Sequence, residues 1–124
     1  MSEHEAFAVD HDPVEGAHLV TAEGELDLAA APRLATVLSM AVASPEPAVV
    51  LDLASTTFID STALGAIMAA SNEAETAGKR LLVAVADGPV RRLLEITNLT
   101  GRFRIYPDRE SALAAAAAAA QRAS

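Results

Sequence analysis

Apolar residues recur along the chain in two patterns, one typical of strands and one typical of amphipathic helices. Strand-like runs occupy five segments: residues 6–10, 17–22, 48–53, 80–86, and a short last strand with Phe103 and Ile105 on one face. The turn-forming residues 12–16 (DPVEG) between the first two runs predict a β-hairpin. The run AVVLDL at 48–53 is apolar almost throughout, which predicts a central strand covered on both faces.

Helix-like spacing fills the intervals between the later strands. The predicted helices are residues 32–43, residues 61–77, a segment that begins at Pro89 and ends at Asn98, and a segment after Asp108 that contains the alanines 114–120. The apolar stripe of the second helix is formed by Leu64, Ile67, Met68 and Ser71. We expect Gly78 and Asn98 to end their helices in the left-handed conformation. The alanine run has high helix propensity but almost no apolar stripe, so we expect its far end to fray.

The predicted element order is therefore β-β-α-β-α-β-α-β-α. Strands that alternate with helices predict parallel pairing through right-handed crossovers, and the opening hairpin adds an antiparallel strand. A length of 124 residues fits one domain, and no Pro-rich or charged linker divides it. We predict a single α/β domain over residues 1–124 with a mixed, mostly parallel sheet and a core from about residue 5 to about residue 118.

Composition narrows the possible functions. Hydrophobic residues make up 52% of the chain but aromatic residues only 3%, so the core must consist of Leu, Val, Ile and Ala. The lack of Cys excludes disulfides, thiolate metal sites and a Cys nucleophile. No secretory signal pattern and no apolar run of roughly 18 residues is present, so we expect a cytoplasmic protein. The net charge of −8 disfavours nucleic acid and anionic membranes and favours a partner with a basic surface.

Common fingerprints of nucleotide-binding and metal-dependent enzymes are absent from the sequence. His4, His11 and His18 do not have the spacing of metal ligands, so we expect exposed histidines on the hairpin and no metal site. The carboxylates predicted near strand ends are Glu25, Asp27, Asp52 and Asp60. Acidic residues at such positions more often cap helices or face solvent than act in acid–base catalysis. The sequence therefore indicates no catalytic residue and no cofactor.

Ser61 follows Asp60 at the predicted junction between the central strand and the second helix. A hydrolase nucleophile elbow also places a serine there, but it needs flanking glycines, and Ile59 and Ala63 occupy those positions. No His follows Ser61 in the chain to act as its base, which disfavours nucleophilic catalysis. From the residues alone, capping of the helix N-terminus is the favoured role of Asp60 and Ser61.

Three segments together resemble the STAS family, named for sulfate transporters and anti-sigma-factor antagonists. They are residues 24–27 (GELD), the strand 49–53, and residues 58–65 (FIDSTALG), and the predicted element order matches that fold from end to end. As a lone domain, the chain is similar to the anti-sigma-factor antagonist branch. The resemblance implies that Ser61 is phosphorylated by the anti-sigma factor, which is itself a serine kinase.

The resemblance also implies a binding cycle. Unphosphorylated antagonist would bind an anti-sigma factor with a histidine-kinase-like ATPase fold and free a sigma factor, and a serine phosphatase would restore the antagonist after phosphorylation. Asp60 and Thr62 would support the switch, while Asp27 and Leu64 are candidate partner contacts. Their structural alternatives are a helix N-terminal charge for Asp27 and core packing for Leu64.

The chain departs from the family pattern directly after Ser61. Many members have Ser at the position of Thr62, and Gly is common at the position of Ala63. We expect the added methyl group of Ala63 to restrict the turn and hinder a kinase. The alternative function is a STAS scaffold or partner subunit of a stress-signalling or lipid-transport complex, and a hydrolase that uses Ser61 is a weaker third hypothesis.

Overall fold

The computed structural model describes residues 7–98 and 101–123, and within them it contains five strands and four helices. The strands are β1 (Phe7–Val14), β2 (Ala17–Leu26), β3 (Ala48–Ile59), β4 (Arg80–Ala84) and β5 (Arg104–Tyr106). The helices are α1 (Ala31–Ala43), α2 (Ser61–Thr76), α3 (Pro89–Thr97) and α4 (Arg109–Ala123). The element order and the α/β class of the prediction are confirmed.

The strands form one mixed sheet in the order β1-β2-β3-β4-β5. β1 is antiparallel to β2, and every other neighbouring pair is parallel. The hairpin turn consists of Glu15 and Gly16, and the φ of 80° at Gly16 is the conformation that such a turn requires. The predicted turn over 12–16 is too long, because Pro13 lies in β1, an edge strand where a missing N–H is tolerated.

The two faces of the sheet are covered by different helices. Helices α1, α2 and α3 pack on one face, where the core includes Leu34, Leu38, Ile67 and Leu94, all fully buried. Helix α4 alone covers the other face, through Ala112 and Ala116. Side chains alternate along β3 between these two cores, as expected for a strand covered on both sides.

β2 and β3 are both longer than their apolar runs. β2 continues through the polar residues 23–25 to Leu26, and β3 continues from Leu53 to Ile59. Their parallel pairing shifts twice, between Thr21 and Glu23 and again between Gly24 and Glu25, and each shift inserts one extra residue in β3. The second half of β3 therefore has the burial pattern of two exposed residues after each buried one instead of strict alternation. Strands are predicted from alternating or continuously apolar residues, so the prediction ended this strand at residue 53 and missed its second half.

Three helix details differ from prediction. In α2 the fully buried stripe runs along Ala63 and Ile67, while Leu64 and Met68 are only partly buried. Asn98 ends α3 with φ −94°, not in the left-handed region, and its side-chain amide pairs with the backbone of Phe103. The small residues of α4 do form a stripe, since Ala112 and Ala116 are buried four positions apart. Fraying of its end stays a prediction.

The histidines are not simply exposed. His18 is buried, its ring stacks on the ring of His11, and the two rings approach at 2.8 Å between Nδ1 of His11 and Nε2 of His18. Nδ1 of His18 lies 2.9 Å from Oε1 of Glu46, in the α1–β3 loop. This hydrogen bond to His18 lowers the pKa of Glu46 below its usual value. His4 lies outside the described residues.

Candidate functional site

The carboxyl ends of β2 and β3 bring two loops together at one edge of the sheet. Leu26 and Ile59 are the last paired residues of these parallel strands. Directly beyond them, the backbone N–H of Asp60 donates to the carbonyl oxygen of Leu26 at 3.1 Å. The start of α2 is thereby joined to the β2–α1 loop, and Asp27 lies in that loop next to the hydrogen-bonded Leu26. Sequence spacing alone does not show this juxtaposition, which needs the parallel pairing.

Asp60 is the N-cap residue of α2. Its backbone is extended, with φ −104° and ψ −179°, and its Oδ1 accepts from the backbone N–H of Ala63 at 3.0 Å. Its carbonyl oxygen accepts from the N–H of Leu64 at 2.9 Å. One of the free donors of the first helical turn is therefore satisfied, and the capping alternative for Asp60 is confirmed.

Ser61 is the first residue of α2, and its side chain is exposed, as is that of Thr62. Neither hydroxyl group has a hydrogen-bond partner in the described part of the chain. Among the described residues, the side chain of Asp60 therefore caps this helix and that of Ser61 does not. The Ser61 hydroxyl is accessible to solvent at the helix N-terminus. Backbone N–H groups in the first turn favour negative charge at this position.

Ala63 does not restrict the turn as its departure from the family pattern suggested. It lies inside α2, is fully buried and belongs to the main core, so its methyl group packs inward. Among the described residues, only glycines have positive φ, so position 63 has no conformation that would require Gly. The expectation that Ala63 restricts the turn is wrong, and its effect on a kinase stays a prediction.

Leu64 has the core-packing role that was left open for it, whereas Asp27 lies before the N-cap Ala30 and outside the first turn of α1. Oδ1 of Asp27 accepts from the N–H groups of Ala29 at 3.0 Å and Ala30 at 3.3 Å, which orders the chain before α1. Leu64 is partly buried against the main core. Each keeps an accessible portion beside Ser61 in the fold, and a contact with a partner stays a prediction for both.

The other carboxylates of the sequence hypothesis do not converge on Ser61. Asp52 is buried in the middle of β3, where Oδ2 lies 2.7 Å from Nε of Arg109 and Oδ1 accepts from the N–H of Ala54 at 2.9 Å. Its charge is therefore matched within the fold. Glu25 is exposed on β2, opposite Phe58.

No described histidine is placed to activate Ser61. His11 and His18 lie toward the amino end of β3, since His18 pairs with Val49, whereas Ser61 follows the carboxyl end of that strand. Over residues 7–98 and 101–123, no group of three His, Cys, Asp or Glu side chains has a metal-binding arrangement. None of the helices built from these residues is long and apolar enough to span a membrane.

Sequence reasoning missed two apolar residues at this edge. Leu28 and Phe58 are 70% and 49% exposed, and they lie in the β2–α1 loop and near the end of β3. Phe58 was part of the family motif but was not singled out as a contact. Its exposure follows from the register shift before it, which the sequence does not reveal.

Comparison with known families identifies the domain. A family model described as the STAS domain matches residues 9–112, which is most of the chain. The chain belongs to the STAS domain family. No curated protein matches it by sequence.

Solved structures similar to this chain extend this result. The chain is similar to an anti-sigma factor antagonist from Mycobacterium paratuberculosis, with 27% identity and a TM-score of 0.81, over 94% of this chain and 98% of that chain. It shares its fold with the phosphorylated form of the Bacillus cell fate determinant SpoIIAA, with 17% identity and a TM-score of 0.65, over 84% of this chain and 96% of that one. The murine anion transporter Slc26a9 contains the same fold, with 17% identity and a TM-score of 0.71, over 86% of this chain and 18% of the transporter.

Proposed function

We propose that this STAS protein is an anti-sigma-factor antagonist that is switched by phosphorylation of Ser61. The observation that carries the proposal is an exposed serine, held at a capped helix N-terminus, whose hydroxyl group has no hydrogen-bond partner among the residues that the structure describes. Similarity to the mycobacterial antagonist over nearly the whole of both chains supports it. The unmodified protein binds an anti-sigma factor and frees a sigma factor, and the phosphorylated protein is released.

In this proposal the protein is a substrate and a binding partner, not an enzyme. The anti-sigma factor has a histidine-kinase-like ATPase fold and transfers phosphate from ATP to the Ser61 hydroxyl, and a serine phosphatase removes it. Asp60 supports the switch by holding the first turn of α2 in place. Thr62 is exposed beside it, but its β-branched side chain and its position inside the helix make it the poorer acceptor. The setting is cytoplasmic signalling that regulates transcription, including stress responses.

A phosphate on Ser61 is expected to leave the fold intact. The N-terminus of α2 stabilises an anion by about 0.3–1 kcal/mol, while the neighbouring carboxylate of Asp60 opposes the added charge of about −1.5 to −2. Helix α2 itself is held by Ala63 and Ile67, which are fully buried. The two electrostatic effects oppose each other at an exposed site, so the change in stability should be small.

The effect on a complex is larger. A partner that covers Ser61 would bury the phosphate without a ready counterion, at a cost of about 3–5 kcal/mol. That free energy corresponds to about a hundredfold or greater loss of affinity. Dissociation, rather than unfolding, is therefore the response that the energetics favour.

Binding of two Ser61 variants tests this mechanism. Ser61→Ala should bind the anti-sigma factor as the parent does, because it keeps a neutral small side chain, and Ser61→Asp should bind much more weakly. Isothermal titration calorimetry against purified histidine-kinase-like anti-sigma factors of the source organism measures both. Tight binding by Ser61→Asp together with loss of binding by Ser61→Ala would contradict the mechanism.

A second candidate function is a STAS scaffold or partner subunit of a larger signalling or lipid-transport complex. The scaffold hypothesis is supported by the presence of this fold as a small part of an anion transporter chain. Co-purification of the tagged protein from its source organism separates the two. Recovery of a stable complex with transporter subunits, unchanged by Ser61→Asp, would favour the scaffold.

A further inference from the structure

Two exposed apolar side chains flank the start of α2. Leu28 is 70% exposed and Phe58 is 49% exposed. Leu28 follows Leu26 by two positions, and Phe58 precedes Asp60 by two. A backbone hydrogen bond joins Asp60 to Leu26. The backbone pairing therefore places both residues at the carboxyl edge of the sheet, where α2 begins with Ser61.

The exposure of Phe58 is produced by the strand pairing. A regular strand would alternate its residues between the two covered faces. The register shift between Gly24 and Glu25 inserts an extra residue in β3, so that Thr57 and Phe58 are exposed in succession before the buried Ile59. Bulges are rare between parallel strands, and they often occur beside functional sites, where they redirect a side chain.

The surroundings of this apolar pair are acidic. Residues 23–32 and 54–66, which form the two converging segments, contain Glu23, Glu25, Asp27 and Asp60 and no Lys, Arg or His. Two basic residues of the adjoining helices are engaged within the fold, since Arg33 donates to the carbonyl oxygen of Val9 and Arg91 is paired with Asp87 and Glu95. Oδ1 of Asp27 and Oδ1 of Asp60 accept backbone hydrogen bonds, which hold both carboxylates in fixed places. A surface with an apolar centre and negative surroundings is complementary to a partner with an apolar pocket and a basic rim.

Two other large apolar side chains are exposed in the described part of the chain, and they lie elsewhere. Met40 is 50% exposed near the end of α1, and Ile96 is 60% exposed near the end of α3. Because each helix returns antiparallel to its preceding strand, these residues lie toward the amino end of the parallel strands. Single exposed apolar residues are ordinary, whereas a pair beside a switch residue is not.

We infer that Leu28 and Phe58 are the apolar anchors by which a protein partner with a basic rim docks over Ser61. The inference rests on the proposed function and assigns the contacts that supply affinity in the unphosphorylated state. Phe58 provides the large anchor that interface centres favour, and the acidic residues around it steer and orient the partner. Phosphate on Ser61 would then add charge at the centre of the contact.

Binding of four alanine variants tests the inference with controls from the same chain. Phe58→Ala and Leu28→Ala remove the anchors, and Ile96→Ala and Met40→Ala remove apolar side chains of comparable exposure at the other end of the parallel strands. Each unphosphorylated variant is titrated with the histidine-kinase-like anti-sigma factors of the source organism. We expect Phe58→Ala to weaken binding about thirtyfold or more and Leu28→Ala about tenfold, with both controls within about threefold of the parent.

The outcomes separate this inference from the function on which it rests. Affinities of Phe58→Ala and Leu28→Ala within threefold of the parent, with Ser61→Asp still binding much more weakly than the parent, would overturn the anchors and leave the switch standing. Binding of the parent to none of these anti-sigma factors would overturn both. Thermal unfolding of every variant is measured alongside to show that each is folded. Equal losses of affinity in the anchor and control variants would also overturn the inference.

Discussion

The two faces of the sheet differ in how their helices are held. On the first face, α1, α2 and α3 bury branched aliphatic side chains such as Leu34 and Ile67. On the second face, α4 approaches the sheet closely through Ala112 and Ala116, and a Cβ atom added to Gly16 would lie 3.2 Å from Cα of Ala117. The ion pair between Arg109 and Asp52 supplements this small apolar contact.

The difference indicates how the packing of each helix should respond to a local change in charge or side chain. Helix α2 is fixed on the aliphatic face, so a charge added to its exposed first residue should change the surface and leave the packing unchanged. Helix α4 depends on close backbone approach, one ion pair and the cap at its start, where Oδ1 of Asp108 accepts from the N–H of Ser111 at 2.7 Å. That hydrogen bond lowers the pKa of the Asp108 carboxyl.

The largest expected effect is in the aliphatic core under α2. Ile67→Ala should lower the free energy of unfolding by about 2–5 kcal/mol, because a fully buried side chain is replaced by a cavity. Urea denaturation measures it, with the partly buried Met68→Ala as the control for the same helix. A loss under about 1 kcal/mol for Ile67→Ala would contradict the claim that buried aliphatic side chains fix α2 on the sheet.

On the second face, Arg109→Ala should cost about 1–3 kcal/mol, because it leaves the buried carboxylate of Asp52 without its charged partner. The guanidinium is partly exposed, so the loss should be smaller than for an enclosed pair. A double-mutant cycle with Asp52→Asn isolates the interaction, and Arg92→Ala, at an exposed position of α3, is the control. Additive effects of Arg109→Ala and Asp52→Asn would contradict the pairing.

A smaller effect is expected at the start of α2. Asp60→Ala should lower stability by about 0.5–2 kcal/mol because the N–H of Ala63 loses its acceptor. Asp60→Asn keeps an acceptor oxygen and is the matched control. Thermal denaturation compares the two variants with the parent. Equal stability of Asp60→Ala and the parent would show that the Asp60 cap does not stabilise the fold.

The smallest expected effect is a pH dependence at the amino end of the sheet. Because the hydrogen bond to His18 lowers the pKa of Glu46 in the folded state, its contribution to stability is present above the unfolded pKa of roughly 4.3 and is lost as pH falls through the folded value. The stability difference between the parent and Glu46→Gln should therefore shrink on acidification below that value. Glu15→Gln, at an exposed position, is the control. A stability difference between the parent and Glu46→Gln that grows on acidification would contradict a lowered pKa of Glu46.

The sequence was sufficient for the regular part of the fold. Continuous apolar runs identified the first half of β3 and β4, helical spacing located α1, α2 and α3, and the helix propensity of the alanine run located α4, because these signals are local. The second half of β3 was missed because its two register shifts depend on pairing with β2. The buried stripe of α2 was predicted correctly at Ile67 and Ser71 but not at Leu64 and Met68, because the helix packs on the sheet through small residues such as Ala63.

The candidate site was predictable in part. Asp60 and Ser61 could be placed from the junction of strand and helix and from the family motif. The link between Asp60 and Leu26, and the exposed pair Leu28 and Phe58, could not, because both arise where the ends of two distant segments meet. The His11–His18–Glu46 contact was missed for the same reason, since Glu46 is brought to the hairpin by the pairing of β2 with β3.

The central claim is that Ser61 accepts the phosphate. The most direct test incubates the protein and Ser61→Ala with ATP and each histidine-kinase-like anti-sigma factor of the source organism, and then locates any added phosphate by tandem mass spectrometry. We predict one phosphate, on Ser61, in the parent and none in Ser61→Ala. Phosphate on Thr62 or another residue, or none from kinases shown to be active on other antagonists, would contradict the claim.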